Sequence, residues 1–230
     1  MNKIRPVDVV LDIGCGIQPQ NYVIPSVHIC CEPFVQYVDY LQHAMASQPA
    51  QFCDRLYVVL QASWEQAVTL FPSRSVDTVF VMDVIEHLEK ETGISLLRAT
   101  ECLARHQVII FTPLGFVKQE HPDGKDAWGL DGGKWQEHRS GWLPEDFDES
   151  WETYATKNFH LADNMDHPYR VPVGAFFAIK TIHFPQVDTG PLTRQKAHLW
   201  LDQCIGWVER GLARVQRLVQ KVRARFIHAK

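Results

Sequence analysis

The chain has no run of about 18 apolar residues, so no segment is expected to cross a membrane as a helix. It also has no Cys-x-x-Cys pair and no Cys/His spacing suited to zinc, and its six cysteines are expected to be reduced and structural. Cys30 and Cys31 lie in an apolar run and read as small buried hydrophobes. No pair of His and acidic residues shows ligand spacing on a recognisable element, so no metal is expected. No internal repeat or low-complexity segment is visible. Met1 leads almost directly into the first apolar run, with no room for a signal peptide, so a cytoplasmic location is expected.

What remains is an ordinary globular composition. With 230 residues, 46% hydrophobic and 22% charged, the chain can form one α/β domain with a substantial core and one appended element. The net charge of −4 hides an asymmetry. Residues 191–230 hold nine Lys/Arg against two acids, a net +7 that leaves −11 on the rest. An acidic body argues against a nucleic-acid backbone as substrate, because phosphate binding needs clustered cations.

Short apolar runs alternate with amphipathic stretches. Strands are expected near residues 7–13, 27–31, 56–60, 76–82, 107–111 and 175–181, and helices near 35–48, 64–69 and 93–104. This order implies a Rossmann-like, doubly wound, mostly parallel sheet with helices on both faces. Its first strand is then central, with a ligand site at its C-terminal end. Residues 113–150 are rich in Gly, Asp, His and Trp and too long for a simple loop, and are expected to cover that site.

Three constellations carry chemistry. The first is Val9-Val10-Leu11-Asp12-Ile13-Gly14-Cys15-Gly16, a buried strand delivering the chain into a glycine turn that a ligand can approach closely. Under a dinucleotide pattern position 19 would be glycine at a helix start, but it is Pro19, which weakens the pyrophosphate reading. The second is Glu32, 20 residues after Asp12, placed to accept both hydroxyls of an adenosine ribose. The third is the apolar strand from Val76 to Met82, ending in Asp83-Val84-Ile85-Glu86-His87-Leu88.

Together these motifs resemble the class I S-adenosylmethionine-dependent methyltransferases of the ubiquinone-methyltransferase-like type, over roughly residues 5–112 and a final hairpin around 175–181. The resemblance implies a seven-stranded sheet with an antiparallel last strand. It also implies S-adenosylmethionine as cofactor, with Asp12, Gly14 and Gly16 on the methionine portion and Glu32 on the ribose. Gln61 and Ala62 would flank the adenine, where an Asp is more usual than Gln61. Met82, Asp83 and His87 would lie beside the sulfonium, with Cys15, Pro33 and Val84 as neighbours in the same segments.

Methyl transfer from a sulfonium is mainly a matter of placing two reactants in line. An alcohol or phenol acceptor also benefits from a base near neutral pH. His138, in Trp135-Gln136-Glu137-His138-Arg139-Ser140-Gly141-Trp142, and His87 are the candidates for base or acceptor contact, with His121 a third. His138 serves equally well as a loop-structuring hydrogen-bond partner. Trp128, Trp135 and Trp142 among Asp123, Asp126 and Asp131 suit a sugar or other polar ring, or they staple the loop to the sheet.

Beyond the domain, expected over residues 1–190, residues 191–230 read as one long basic amphipathic helix. Leu201, Ile205, Val208, Leu212, Val215, Val219, Val222 and Phe226 form a heptad seam. It could pack on its own domain, pair with a second copy as a coiled coil, lie on an anionic membrane surface, or, least favoured, contact nucleic acid. The expected activity is methyl transfer to a small-molecule or glycan acceptor, at oxygen. The rivals are a nicotinamide-dependent oxidoreductase and a non-catalytic cofactor-binding scaffold.

Overall fold

The computed structural model describes residues 3–183 apart from 164 and 166. The helix expected over 191–230, with its seam and its dimer and membrane readings, lies outside the described residues. Seven strands form one sheet in the order β3-β2-β1-β4-β5-β7-β6. They are β1 (Val9–Ile13), β2 (Val27–Glu32), β3 (Leu56–Gln61), β4 (Val76–Met82), β5 (Ala104–Pro113), β6 (Trp151–Ala162) and β7 (Pro168–Thr181). The first five are parallel, and β7 runs antiparallel to both β5 and β6.

Alternation along the central strands builds two cores. Leu11, Val79, Val81, Val108 and Ile110 face one side, under α2 (Trp64–Leu70) and α3 (Lys90–Leu103). Val10, Phe80 and Ile109 face the other. The same alternation splits the adjacent cysteines: Cys31 joins the first core, and Cys30 packs with Leu41 of α1 (Val35–Ser47). Burial pushes the Cys31 thiol up to about 12, which leaves it unreactive at neutral pH. Cys15, Cys30 and Cys31 are buried and unbridged, while Cys53 and Cys102 are exposed.

Two features depart from the simple alternation. The crossover from β1 to β2 (residues 14–26) contains no helix, consistent with prolines at 19 and 25. Its fold comes instead from Asp12, whose carboxylate accepts from the Gln20 backbone N–H at 2.8 Å and lies 3.1 Å from His28 Nε2. The second feature is β6. Beyond the buried Trp151 its residues are mostly exposed, because it is the sheet edge.

Gly93 of α3 gives a local test of packing. A Cβ there would stand 2.4 Å from Cζ2 of the fully buried Trp142 ring. Alanine at 93 gains about 1 kcal/mol of helix propensity. Overpacking against a ring with nowhere to move costs roughly 1–3 kcal/mol, so the net expectation is a lower melting temperature by calorimetry.

Candidate functional site

The glycine turn holds Gly14 at φ +67° and Gly16 at φ +55°, where side chains are strained. Gly14 N–H donates to the Cys31 carbonyl at 2.7 Å, and Gly16 N–H to Glu32 Oε2 at 3.0 Å. Glu32 Oε1 accepts from Phe34 N–H at 2.9 Å. This carboxylate therefore ties the turn after β1 to the exit of β2, and each oxygen keeps a further lone pair for a ligand. Burial pushes the Glu32 carboxyl above its ordinary range, against the lowering effect of the two backbone donors.

A cavity of about 660 Å³ opens at the carboxyl ends of β1, β2, β4 and β5. Of the residues expected at the site, Gly14, Cys15, Gly16, Glu32, Pro33, Ala62, Met82, Asp83, Val84, His87 and His138 line it. Asp12, Gln61 and His121 do not. Asp12 is 1% exposed; its Oδ2 holds the 14–26 loop, and the residue lines an adjoining cavity that shares Gly14, Cys15, Met82 and Asp83 with the first. Gln61 is exposed at the end of β3, and its place at the cavity is taken by Ser63 and Trp64, which open α2. The Ser63 side chain caps that helix by accepting from Gln66 N–H. His121 Nδ1 lies 2.7 Å from the Lys125 carbonyl, within its own loop.

A Cβ at Gly14 would stand 2.5 Å from Val84 Cγ2. The close approach there is between the turn and the exit of β4, so a side chain at 14 disturbs the fold as well as a ligand.

The opposite end of the cavity is built by two segments distant in sequence. Asp83 takes φ +52°, a left-handed conformation that turns the chain out of β4, and its N–H donates to the Phe111 carbonyl at 2.9 Å. A 3₁₀ turn, Ile85–His87, follows. Residues 135–142 clamp this turn. Arg139 and Ser140 N–H both donate to the Glu86 carbonyl, at 2.7 and 3.0 Å. Trp142 Nε1–H and Ser140 Oγ–H donate to the Ile85 carbonyl, each at 3.1 Å. The clamp brings the His87 and His138 rings to 4.9 Å between centroids.

The electrostatics here are set by desolvation. Burial lowers His138 to about 4, and burial together with the neighbouring His138 lowers His87 to about 4, so both imidazoles are neutral at pH 7. Glu86, wholly buried against Asp83, has its carboxyl pushed well up by burial and by the Asp83 charge. Asp83 opens onto the cavity yet is ringed by protein, and that desolvation raises it too.

Residues 113–150 form the cavity's outer wall through Trp128, Lys134, Trp135, His138 and Arg139. Their aspartates are engaged elsewhere. Asp126 accepts from the Tyr37 hydroxyl at 2.7 Å and from the Trp128 and Leu130 N–H groups. Asp131 accepts from Gln36, and Asp123 accepts from Lys125 N–H. None of the three lines the cavity, so the pairing of aromatic faces with carboxylates expected for a sugar is not formed there.

Sequence reasoning missed Tyr37, Trp64, Glu86, Arg139 and His160 as cavity residues. Glu86 and Arg139 sat inside the quoted motifs, adjacent to His87 and His138. His160 lies on β6, which had no strand signal.

No family model and no curated protein matches the chain. Solved structures do. TehB from Haemophilus influenzae superposes with a TM-score of 0.50 at 14% identity, over 77% of this chain and 58% of that one. A SAM-dependent methyltransferase from Archaeoglobus fulgidus gives 0.46 at 13% identity, over 78% and 87% of the two chains. The cyclopropane synthase MmaA2 from Mycobacterium tuberculosis gives 0.39 at 20% identity over 50% of this chain, which spans 40% of its length. The fold is that of the class I S-adenosylmethionine-dependent methyltransferases: seven strands, mostly parallel, with an antiparallel β7 inserted between β5 and β6. Among the described residues no helix is long and apolar enough to cross a membrane.

Proposed function

We propose that this chain transfers a methyl group from S-adenosylmethionine to an oxygen of a small-molecule acceptor. The observation that carries the reading is one continuous cavity with the glycine turn and Glu32 at one end and two neutral imidazoles at the other. The residues present fit the cofactor. Glu32 offers lone pairs to ribose hydroxyls, and Gly16 leaves the turn open to close approach. Trp64 Nε1–H is a buried donor without a partner among the described residues, at the edge where an adenine would lie.

When bound, the cofactor supplies an electrophilic methyl on a sulfonium. The protein's part is placement, with Met82 and Asp83 at the end of β4 and the loop 113–150 shielding the site. The nicotinamide reading loses support because no helix follows Gly16, so the glycine turn itself presents no helix N-terminus to a pyrophosphate.

Labelled methyl from S-adenosylmethionine, offered with panels of phenols, alcohols and hydroxy acids, should appear in a hydroxyl-bearing small molecule. Label appearing only in RNA or DNA would contradict the acceptor class. Cofactor binding with no label anywhere would favour the scaffold.

A pH dependence follows from Glu32. Ribose hydroxyls donate best to the ionised carboxylate, and the raised pKa means the proton returns at higher pH than for an ordinary glutamate. Cofactor affinity should therefore weaken as pH falls through that raised value, while Glu32→Gln shows no such fall. Calorimetry across the acid range checks it.

A further inference from the structure

We infer that Glu86, His87 and His138 form a binding site for one divalent transition-metal ion at the acceptor end of the cavity. One donor atom from each residue lies within 4.8 Å of the other two. All three residues line the cavity, so an ion among them would be open to an acceptor on one side.

The second observation is the state of Glu86. Its Oε2 accepts from the Thr112 hydroxyl at 3.0 Å, but its Oε1 is buried with no hydrogen-bond partner. A carboxylate oxygen taken out of water is costly unless a donor or a cation compensates it. The Asp83 carboxyl beside it is of the same sign, so without a cation it can compensate Glu86 only by sharing a proton with it.

The imidazoles are already oriented as ligands. His138 Nδ1 lies 2.6 Å from the Val117 carbonyl, and His87 Nδ1 lies 3.3 Å from the Glu137 carbonyl. A carbonyl only accepts, so His138 Nδ1 carries the hydrogen and its Nε2 keeps its lone pair; His87 meets both the Glu137 and the Asp83 carbonyls and offers the nitrogen that does not donate. This outer support, an imidazole N–H fixed by backbone while the other nitrogen faces the ion, is the usual companion of metal-binding histidines.

Two imidazoles and one carboxylate suit Mn²⁺, Fe²⁺, Co²⁺ or Zn²⁺ better than a hard all-oxygen cation. Three protein ligands leave coordination positions open for the acceptor's oxygen. The role in catalysis, though not the ion binding itself, rests on the methyl-transfer reading. An acceptor hydroxyl brought to the ion loses its proton to solvent more readily at neutral pH. The O–CH₃ bond then forms as the S–CH₃ bond breaks, and the electron pair of that bond stays on sulfur, giving the neutral thioether. The acceptor class is a hydroxyl-bearing small molecule able to ligate a divalent ion.

The test is titration of the full chain, stripped with a chelator, with Mn²⁺ followed by electron paramagnetic resonance and with Co²⁺ followed by its visible absorption. One ion per chain is expected, weakened at least about 100-fold in His138→Ala and in Glu86→Gln, and unchanged when exposed His43 becomes alanine. S-adenosylmethionine binding by the same samples, together with their thermal melts, reports whether each variant is folded. His87→Asn provides a second ligand variant if His138→Ala fails to fold. Ion binding without cofactor binding supports the site and removes its catalytic role. Cofactor binding with no ion bound, or ion binding that survives in folded Glu86→Gln and His87→Asn, overturns the site and leaves Asp83 and Glu86 as a pair sharing a proton.

Discussion

Replacing Trp142 with alanine is expected to cost about 3–5 kcal/mol of stability, the usual range for emptying a buried tryptophan site. The ring is fully buried between Gly93 and Phe147. The Lys90 ammonium sits 3.8 Å from its centroid on one face, and Lys90 itself donates to the Gly141 carbonyl. The loss extends beyond packing. Trp142 Nε1–H is one of the donors holding the Ile85 carbonyl, so its removal loosens the turn that carries Glu86 and His87. Denaturant unfolding should show the loss of stability. A partially folded preparation should also lose acceptor turnover by more than it loses cofactor binding, because the glycine turn lies at the other end of the cavity. Trp142→Phe should recover packing but not the hydrogen bond, separating the two effects.

Glu32→Gln is expected to weaken S-adenosylmethionine binding by about 100-fold or more. Each carboxylate oxygen already accepts a backbone N–H, from Phe34 and from Gly16. A glutamine can accept at one oxygen only, so its amide group must face an N–H donor at the other. The ribose hydroxyls lose an ionic acceptor, a charge-assisted bond worth roughly 1.5–3 kcal/mol, and the misplaced amide loosens the turn as well. Calorimetry on a variant with an unchanged circular dichroism spectrum measures this directly. Affinity equal to that of the native chain would remove Glu32 from the site.

Much of the fold was legible because the central strands are buried on both faces. Val10-Leu11 and Val79-Phe80-Val81 read as unbroken apolar runs, which is the mark of a parallel sheet between helices. By contrast, β6 was illegible because edge exposure leaves it Glu152, Thr153, Lys157 and Asn158 where a buried strand would carry aliphatics. The glycine turn and Glu32 were readable since spacing along two adjacent strands fixes their proximity. Asp12 shows the limit of that reasoning. Its position points to the cofactor, while the spacing gives no sign that its Oδ2 is shared by Gln20 and His28. The available clue was His28, a polar side chain inside an apolar strand that needs a buried partner. The meeting of Glu86 and His87 with His138 could not be read from spacing, because the clamp between the Ile85–His87 turn and residues 135–142 joins them only in the folded chain.

Calorimetric titration of the full chain with S-adenosylmethionine and with S-adenosylhomocysteine decides whether the glycine turn and Glu32 hold the cofactor. One-to-one binding of both in the micromolar range is expected, weakened about 100-fold in Glu32→Gln and not reproduced by NAD. No binding of either compound to the folded native chain, or undiminished binding to Glu32→Gln, would contradict this reading.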